Sequence, residues 1–184
     1  MVGTLTPSRG AHRVVGPLYH RVHMSERTSA GILLYRLAGT RLEVLLAHPG
    51  GPYFVDRDAG DWTIPKGEPD DPGEPLAAVA RREFAEETGT EIDANTPSIE
   101  LGTIVQKGGK VVYAWAVEGD LDPAEAHANL FEMEWPPRSG LWESFPEIDR
   151  VAWFEPDEAR VRIKAAQAPY IDRLEAALQG AAEP

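Results

Sequence analysis

Apolar runs separated by short polar breaks mark out the elements of this chain. Ser29 to Tyr35 and Leu42 to His48 are almost continuously apolar and predict two strands joined by a turn around Gly39. Strands without polar alternation need a sheet covered on both faces. His48-Pro49-Gly50-Gly51-Pro52 breaks the chain, and a polar, Gly-rich loop runs to Gly60. Trp62-Thr63-Ile64 predicts a short strand leading into Pro65-Lys66-Gly67. Leu76 to Thr88 is rich in Ala, Glu and Arg and predicts a helix, with Pro75 at its first position and Gly89 as a left-handed stop. Ile99 to Gln106 and Val111 to Val117 predict a hairpin across Lys107-Gly108-Gly109-Lys110. Asp122-Pro123 is expected to open a short helical piece through about Asn129. Phe131, Met133 and Trp135 alternate with Glu132 and Glu134, so Leu130 to Trp135 reads as a half-buried strand that ends at Pro136-Pro137-Arg138-Ser139-Gly140. Val151 to Phe154 reads as a last strand. A helix from Glu155-Pro156-Asp157 to about Lys164 and a second over Pro169 to Leu178 complete the pattern. Strands before and after a central helix, with helices at the end, predict an α/β fold with a mixed sheet between helical layers.

Composition narrows the class. At 184 residues with 42% hydrophobic content and five Trp, the chain reads as one folded domain over residues 28–180, with an extension at 1–27 and a fraying tail at 181–184. The extension carries Arg9, Arg13, Arg21, Arg27, His12, His20 and His23 with little periodicity. Cysteine is absent, which excludes disulfides and thiolate chemistry. No apolar run reaches the length of a membrane span, so a soluble, cytoplasmic protein without membrane partners is expected. A net charge of −12 argues against nucleic acid as a partner, which needs clustered Lys and Arg. The same charge would repel a phosphorylated substrate unless bound cations reverse its sign locally.

Such a cation site is suggested within the predicted helix. At 3.6 residues per turn Glu83, Glu86 and Glu87 fall within an arc of roughly 100°. Three carboxylates on one patch repel one another unless a cation joins them, and hard cations such as Mg²⁺ prefer oxygen ligands. With 30 acidic residues among 184, about one such triplet arises by chance, and alone it would read as a solvated face. Its surroundings change that reading. Gly67, Glu74, Arg82-Glu83-Phe84, Glu86-Glu87 and Gly89 stand at the spacing of a known motif, directly after the Pro-Lys-Gly turn.

These residues resemble the Nudix box, G-x5-E-x7-R-E-U-x-E-E-x-G-U with U apolar. Two departures are visible: six residues separate Gly67 from Glu74, and Thr90 takes the final apolar position. The extra residue falls in a loop, where insertions are tolerated, and the register from Glu74 to Gly89 is intact. The resemblance implies an α/β/α sandwich that uses Mg²⁺ or Mn²⁺ to hydrolyse a nucleoside diphosphate linked to another moiety. Glu83, Glu86 and Glu87, with the backbone at Gly67, are the implied metal ligands. Arg82 is placed to pair with Glu86, and Glu74 to support Arg82 or the loop; both join the glutamates as catalytic candidates. One glutamate, or a loop carboxylate, would orient or deprotonate the attacking water. A further carboxylate from outside the box is expected from among Glu134, Glu143 and Glu147.

For the small-molecule nucleotide substrate, the run from Val44 to Pro52 followed by Asp61 to Glu68 looks most like the diadenosine-polyphosphate branch. Lys66, Lys107, Lys110 and Arg138 are candidates for distal phosphates, with His48 beside them. Tyr113, Trp135 and Trp142 are candidates for stacking on a base. An ADP-ribose or nucleotide-sugar hydrolase is the rival within the class. A nucleotide-sensing module is the rival outside it, and the intact glutamate set argues against that one.

Overall fold

The computed structural model describes residues 28–182, so the extension expected at 1–27 lies outside the described residues. Strands β1 (Thr28–Ala38) and β2 (Arg41–Pro49) form an antiparallel pair with Tyr35 opposite Val44. A two-residue strand, β3 (Lys66–Gly67), pairs antiparallel with the start of β1, placing Gly67 opposite Ala30 and Lys66 opposite Gly31. Helix α1 (Leu76–Thr88) follows, then β4 (Ser98–Val105) and β5 (Val111–Glu118) as the expected hairpin. β6 (Leu130–Glu134) and β7 (Trp142–Pro146) form a separate ribbon. The chain closes with β8 (Ile148–Phe154), α2 (Pro156–Arg162), a 3-10 turn (Ala165–Gln167) and α3 (Pro169–Ala182).

The main sheet has the order β4-β5-β1-β2-β8, with β3 against β1, and it is mixed because β1 and β5 run parallel. Alternate residues of β1 feed two cores. Ala30, Ile32 and Leu34 pack with Val79, Ala80 and Phe84 of α1. Leu33 and Tyr35 pack with Tyr170, Ile171 and Leu174 of α3 and with Ala159 of α2. The expected sandwich therefore stands: helix α1 on one face, α2 and α3 on the other.

Some local expectations are corrected. Pro75 precedes α1 as its N-cap, with an extended ψ of 126°, and is not its first helical residue. Asp122 to Asn129 is not helical. Glu125 N–H closes one turn onto the Asp122 carbonyl, after which His127 and Asn129 donate to the carbonyls of Thr88 and Glu86. Tertiary hydrogen bonds outcompete the local helical preference there. Trp62 to Ile64 makes only isolated bridges, Thr63 with Ala47 and Trp62 with Ile163. Strand β7 was not expected, and α3 continues past Leu178 to Ala182. Among the described residues no helix is long and apolar enough to cross a membrane.

Candidate active site

Helix geometry explains why two of the glutamates turn in toward the sheet. At 100° per residue Glu87 lies about 20° from Ala80 around the helix, and Ala80 is in the core. Glu83, one turn earlier, shares that side, and its side chain is 13% exposed against 39% for Glu86. Opposite them stands the strip 65–67. The Glu87 Oε2 accepts the backbone N–H of Lys66 at 2.9 Å. The Glu83 carboxylate lies directly against Gly67, so closely that a Cβ there would overlap it. The two residues of β3 thus seat the two half-buried carboxylates.

Arg82 holds the cluster from its outer side. Its Nη1 donates to Glu83 Oε1 at 2.8 Å and reaches both oxygens of Glu86 at 3.4 Å. Its Nε and Nη2 reach Glu74 at 3.2 and 3.3 Å, and Nη2 also donates to the Glu68 carbonyl at 3.0 Å. Glu74 in turn accepts the Asp70 N–H at 3.0 Å, so it braces both Arg82 and the loop. These bonds hold the Glu74 carboxyl below its ordinary range, Arg82 being the main cause.

Charge balance within the cluster is poor. Burial raises the Glu83 carboxyl, although the Arg82 hydrogen bond and charge pull it down, and the negative charges of Glu86 and Glu147 add to the rise. Burial pushes Glu87 up to about 7, against the attraction of Lys66 and its N–H, with Glu83 and Glu147 contributing repulsion. Glu147, at the corner between β7 and β8, is the carboxylate outside α1 whose charge reaches both Glu83 and Glu87. It is fixed there by its N–H on the Asn129 carbonyl and by Gly50 N–H on its own carbonyl, both at 2.9 Å. Glu134 instead accepts the Gly140 N–H at 2.6 Å, and Glu143 is exposed on the ribbon.

Among the described residues no three carboxylates or histidines draw together tightly enough to enclose an ion. Arg82 Nη1, bonded to both Glu83 and Glu86, stands between those two carboxylates. The donor chemistry nevertheless suits a hard divalent cation: every group is a carboxylate oxygen, and two of them are half-buried and raised chiefly by that burial. Alongside, a groove of about 530 Å³ lined by Arg82, Glu86, Ile92 and Asn129 runs past the outer edge of α1.

The remaining candidates separate into near and far. Lys66 is half-buried on β3, and Tyr113 on β5 shares a row and a face with Ala30 and Gly67. Lys110 pairs with Glu68 at 2.8 Å. His48 is fully buried, with Nδ1 2.9 Å from Asp149 and Nε2 2.8 Å from the Arg57 carbonyl, and it meets Trp62 edge-on. Both ring nitrogens are engaged, so His48 ties the loop after β2 to β8. Arg138 lies at the exposed tip of the ribbon with a φ of 65°. Lys107 is in the β4–β5 turn, Trp135 packs edge-on against Tyr53, and Trp142 is exposed. Lys164, at the turn after α2, was not singled out by its sequence context. Its electrostatic reach to Glu87 comes entirely from tertiary folding.

Comparison with known proteins agrees with this architecture. Residues 25–174 match the NUDIX domain family. The chain belongs to the Nudix family and is a nucleotide pyrophosphohydrolase by class; members of that family generally need divalent metal ions. Among solved structures, a Caenorhabditis elegans Ap4A hydrolase binary complex is 22% identical, with a TM-score of 0.57 over 83% of this chain and 98% of that one. The NUDIX domain of Shewanella oneidensis NrtR, complexed with ADP ribose, is 16% identical, with a TM-score of 0.59 over 84% and 89%. A Nudix hydrolase from M. smegmatis, RenU, is 20% identical, with a TM-score of 0.52 over 84% and 87%. No curated protein matches the chain.

Proposed function

We propose that this enzyme uses a divalent cation, Mg²⁺ or Mn²⁺, to hydrolyse a phosphoanhydride bond in a dinucleoside polyphosphate or nucleoside triphosphate. The observation that carries the reading is the seating of Glu83 and Glu87 against β3, where burial raises both carboxyls. Glu83, Glu86 and Glu87 would hold the ion, with Glu147 facing them and the backbone at Gly67 adjoining. When bound, the cation supplies charge neutralisation for the phosphoryl oxygens. Arg82 orients Glu83 and Glu86 and is itself fixed by Glu74. Lys66 brings a positive charge to the same strip. Little covalent work is needed in phosphoryl transfer, so positioning and electrostatics dominate. One of the carboxylates orients or deprotonates the water, and single Gln substitutions distinguish them by their pH profiles.

The likeness to the Ap4A hydrolase structure supports the polyphosphate substrate, and the likeness to the ADP-ribose-bound NrtR domain supplies the competing arm of the test. A product-resolved screen with Mg²⁺ against diadenosine polyphosphates, nucleoside triphosphates and ADP-ribose decides. Preferential cleavage of the first two is expected; exclusive cleavage of ADP-ribose would overturn the choice of substrate.

A further inference from the structure

The strip from Trp62 to Gly67, whose end seats Glu83 and Glu87, is held along both edges, and one of those edges finishes on a side chain. Toward the sheet, Ala47 and Thr63 exchange backbone hydrogen bonds at 2.8 and 2.9 Å, Ile32 N–H donates to the Pro65 carbonyl at 3.1 Å, and Lys66 and Gly67 pair with β1. The strip packs directly on β1 there, since a Cβ at Gly31 would overlap the Pro65 carbonyl. Its outer edge follows the turn between α2 and α3. Trp62 N–H donates to the Arg162 carbonyl at 3.1 Å, and Lys164 N–H donates to the Trp62 carbonyl at 2.8 Å. This backbone pairing stops where the chain enters the 3-10 turn at Ala165. The next donor along the outer edge is the Ile64 N–H, and Pro65 after it has none.

Gln167 supplies the acceptor for that donor. Its Oε1 accepts the Ile64 N–H at 3.0 Å, and its Nε2 donates to Thr63 Oγ1 at 2.9 Å. Thr63 Oγ1 donates in turn to the Ile64 carbonyl at 3.1 Å. Both backbone polar groups of Ile64 are therefore closed through one amide. Gln167 is fully buried, beside a core of Ile64, Ile163, Tyr170 and Ile171. An apolar side chain would fill that volume without the cost of burying an amide, but it would leave the Ile64 N–H unpaired. The bond joins positions 103 apart, so nothing in the local sequence marks Gln167. Two residues beyond Ile64, the Lys66 N–H meets Glu87 Oε2 at 2.9 Å and Gly67 stands against the Glu83 carboxylate.

We infer that Gln167 is a positioning residue for phosphoanhydride cleavage: by holding Ile64 from the outer edge, it fixes the strip where the Lys66 N–H and Gly67 seat Glu87 and Glu83. It acts through the strip, since its side chain bonds to Thr63 and Ile64 and not to a glutamate. The inference deepens the proposed function and rests on its placement of a divalent cation at these glutamates. Loss of the amide should loosen the carboxylate seats, so metal affinity and kcat fall while the hold on the nucleotide, read as KM, stays.

The test compares Gln167→Met, Thr63→Val and Tyr170→Phe with wild type in the full chain. Tyr170 is the matched control: it is buried in the same core, but its hydroxyl donates to the Val112 carbonyl on β5 at 2.6 Å, away from the strip. Amide hydrogen exchange of the metal-free protein, read by NMR, is expected to show the Lys66 N–H exchanging roughly tenfold faster in Gln167→Met. A smaller change in the same direction is expected in Thr63→Val and none in Tyr170→Phe. Mn²⁺ affinity by paramagnetic resonance and kcat for diadenosine tetraphosphate should each fall roughly tenfold in Gln167→Met with KM within about twofold, while Tyr170→Phe keeps all three within about twofold. Thr63→Val keeps the side-chain shape and removes only the partner of the amide, so it decides the matter if Gln167→Met fails to fold. Unchanged Lys66 exchange in the strip variants, equal losses in Tyr170→Phe, or a raised KM with kcat unchanged would overturn the role. Faster Lys66 exchange in a chain that binds no Mn²⁺ and cleaves no nucleotide would keep the anchor and reject the proposed function.

Discussion

Glu87→Gln tests the electrostatic strain at the site by itself, apart from catalysis. In the metal-free protein, burial moves this carboxyl from 4.5 to about 7. That shift corresponds to roughly 3 kcal/mol in favour of the neutral form. Below pH 4.5 folded and unfolded chains are both protonated at this group and no penalty exists. As pH rises from 4.5 to about 7, the unfolded chain ionises first, so the group's contribution to stability falls and then levels off. Glutamine keeps an oxygen for the Lys66 N–H, which Glu87 accepts at 2.9 Å, and removes the charge. The shift is already net of the attraction to the Lys66 ammonium, so the expected gain is roughly 3 kcal/mol. For a domain of this size that is a rise in melting temperature of roughly 5–10 °C. Thermal unfolding in chelator should show that rise at pH 8 and little at pH 4. With Mg²⁺ added, the wild type should gain stability that the variant does not. A variant no more stable than wild type at pH 8 would refute the assignment of burial as the dominant influence on Glu87.

Other substitutions probe separate links. Glu147→Gln is expected to lower kcat/KM about 10- to 100-fold with a melting temperature within about 2 °C of wild type, while Glu143→Gln on the ribbon leaves both unchanged; similar rates for the pair would remove Glu147 from the site. Gly67→Ala puts a methyl where the Glu83 carboxylate lies, so metal affinity measured by Mn²⁺ paramagnetic resonance should fall while far-ultraviolet dichroism is unchanged. His48→Ala breaks two buried hydrogen bonds and should cost about 2–4 kcal/mol in urea unfolding. Its KM should change by less than about twofold, because the ring has no free nitrogen to offer a phosphate.

What the sequence disclosed depended on how local each signal was. β1 and β2 are apolar on both faces because helices cover both, and the run lengths alone carry that information. Helix α1 was legible from its composition and the Gly89 stop, which takes a φ of 73°. The box register also gave the pairing of Arg82, since its partners Glu74, Glu83 and Glu86 all lie within eight residues. Strand β7 was hidden because it pairs only with β6 and keeps Trp142 exposed. Glu147 could not be told from Glu134 and Glu143 because its proximity to Glu83 and Glu87 is created by bonds to Asn129 and Gly50. His48 looked polar and available beside a Gly-Gly loop, yet the fold closes Asp149 and Arg57 over both its nitrogens. Lys164 sits between two helical segments with nothing local to mark it, and only the staple to Trp62 brings it toward the site.

The central claim is that the glutamates of α1 and Glu147 serve a divalent ion at which a phosphoanhydride is cleaved. Phosphorus NMR of the full chain with diadenosine tetraphosphate, recorded with Mg²⁺, with chelator, and with Glu87→Gln in Mg²⁺, tests it most directly. The account expects new terminal-phosphate resonances in the first sample alone. Cleavage that persists in chelator, or at the wild-type rate in the variant, would contradict it.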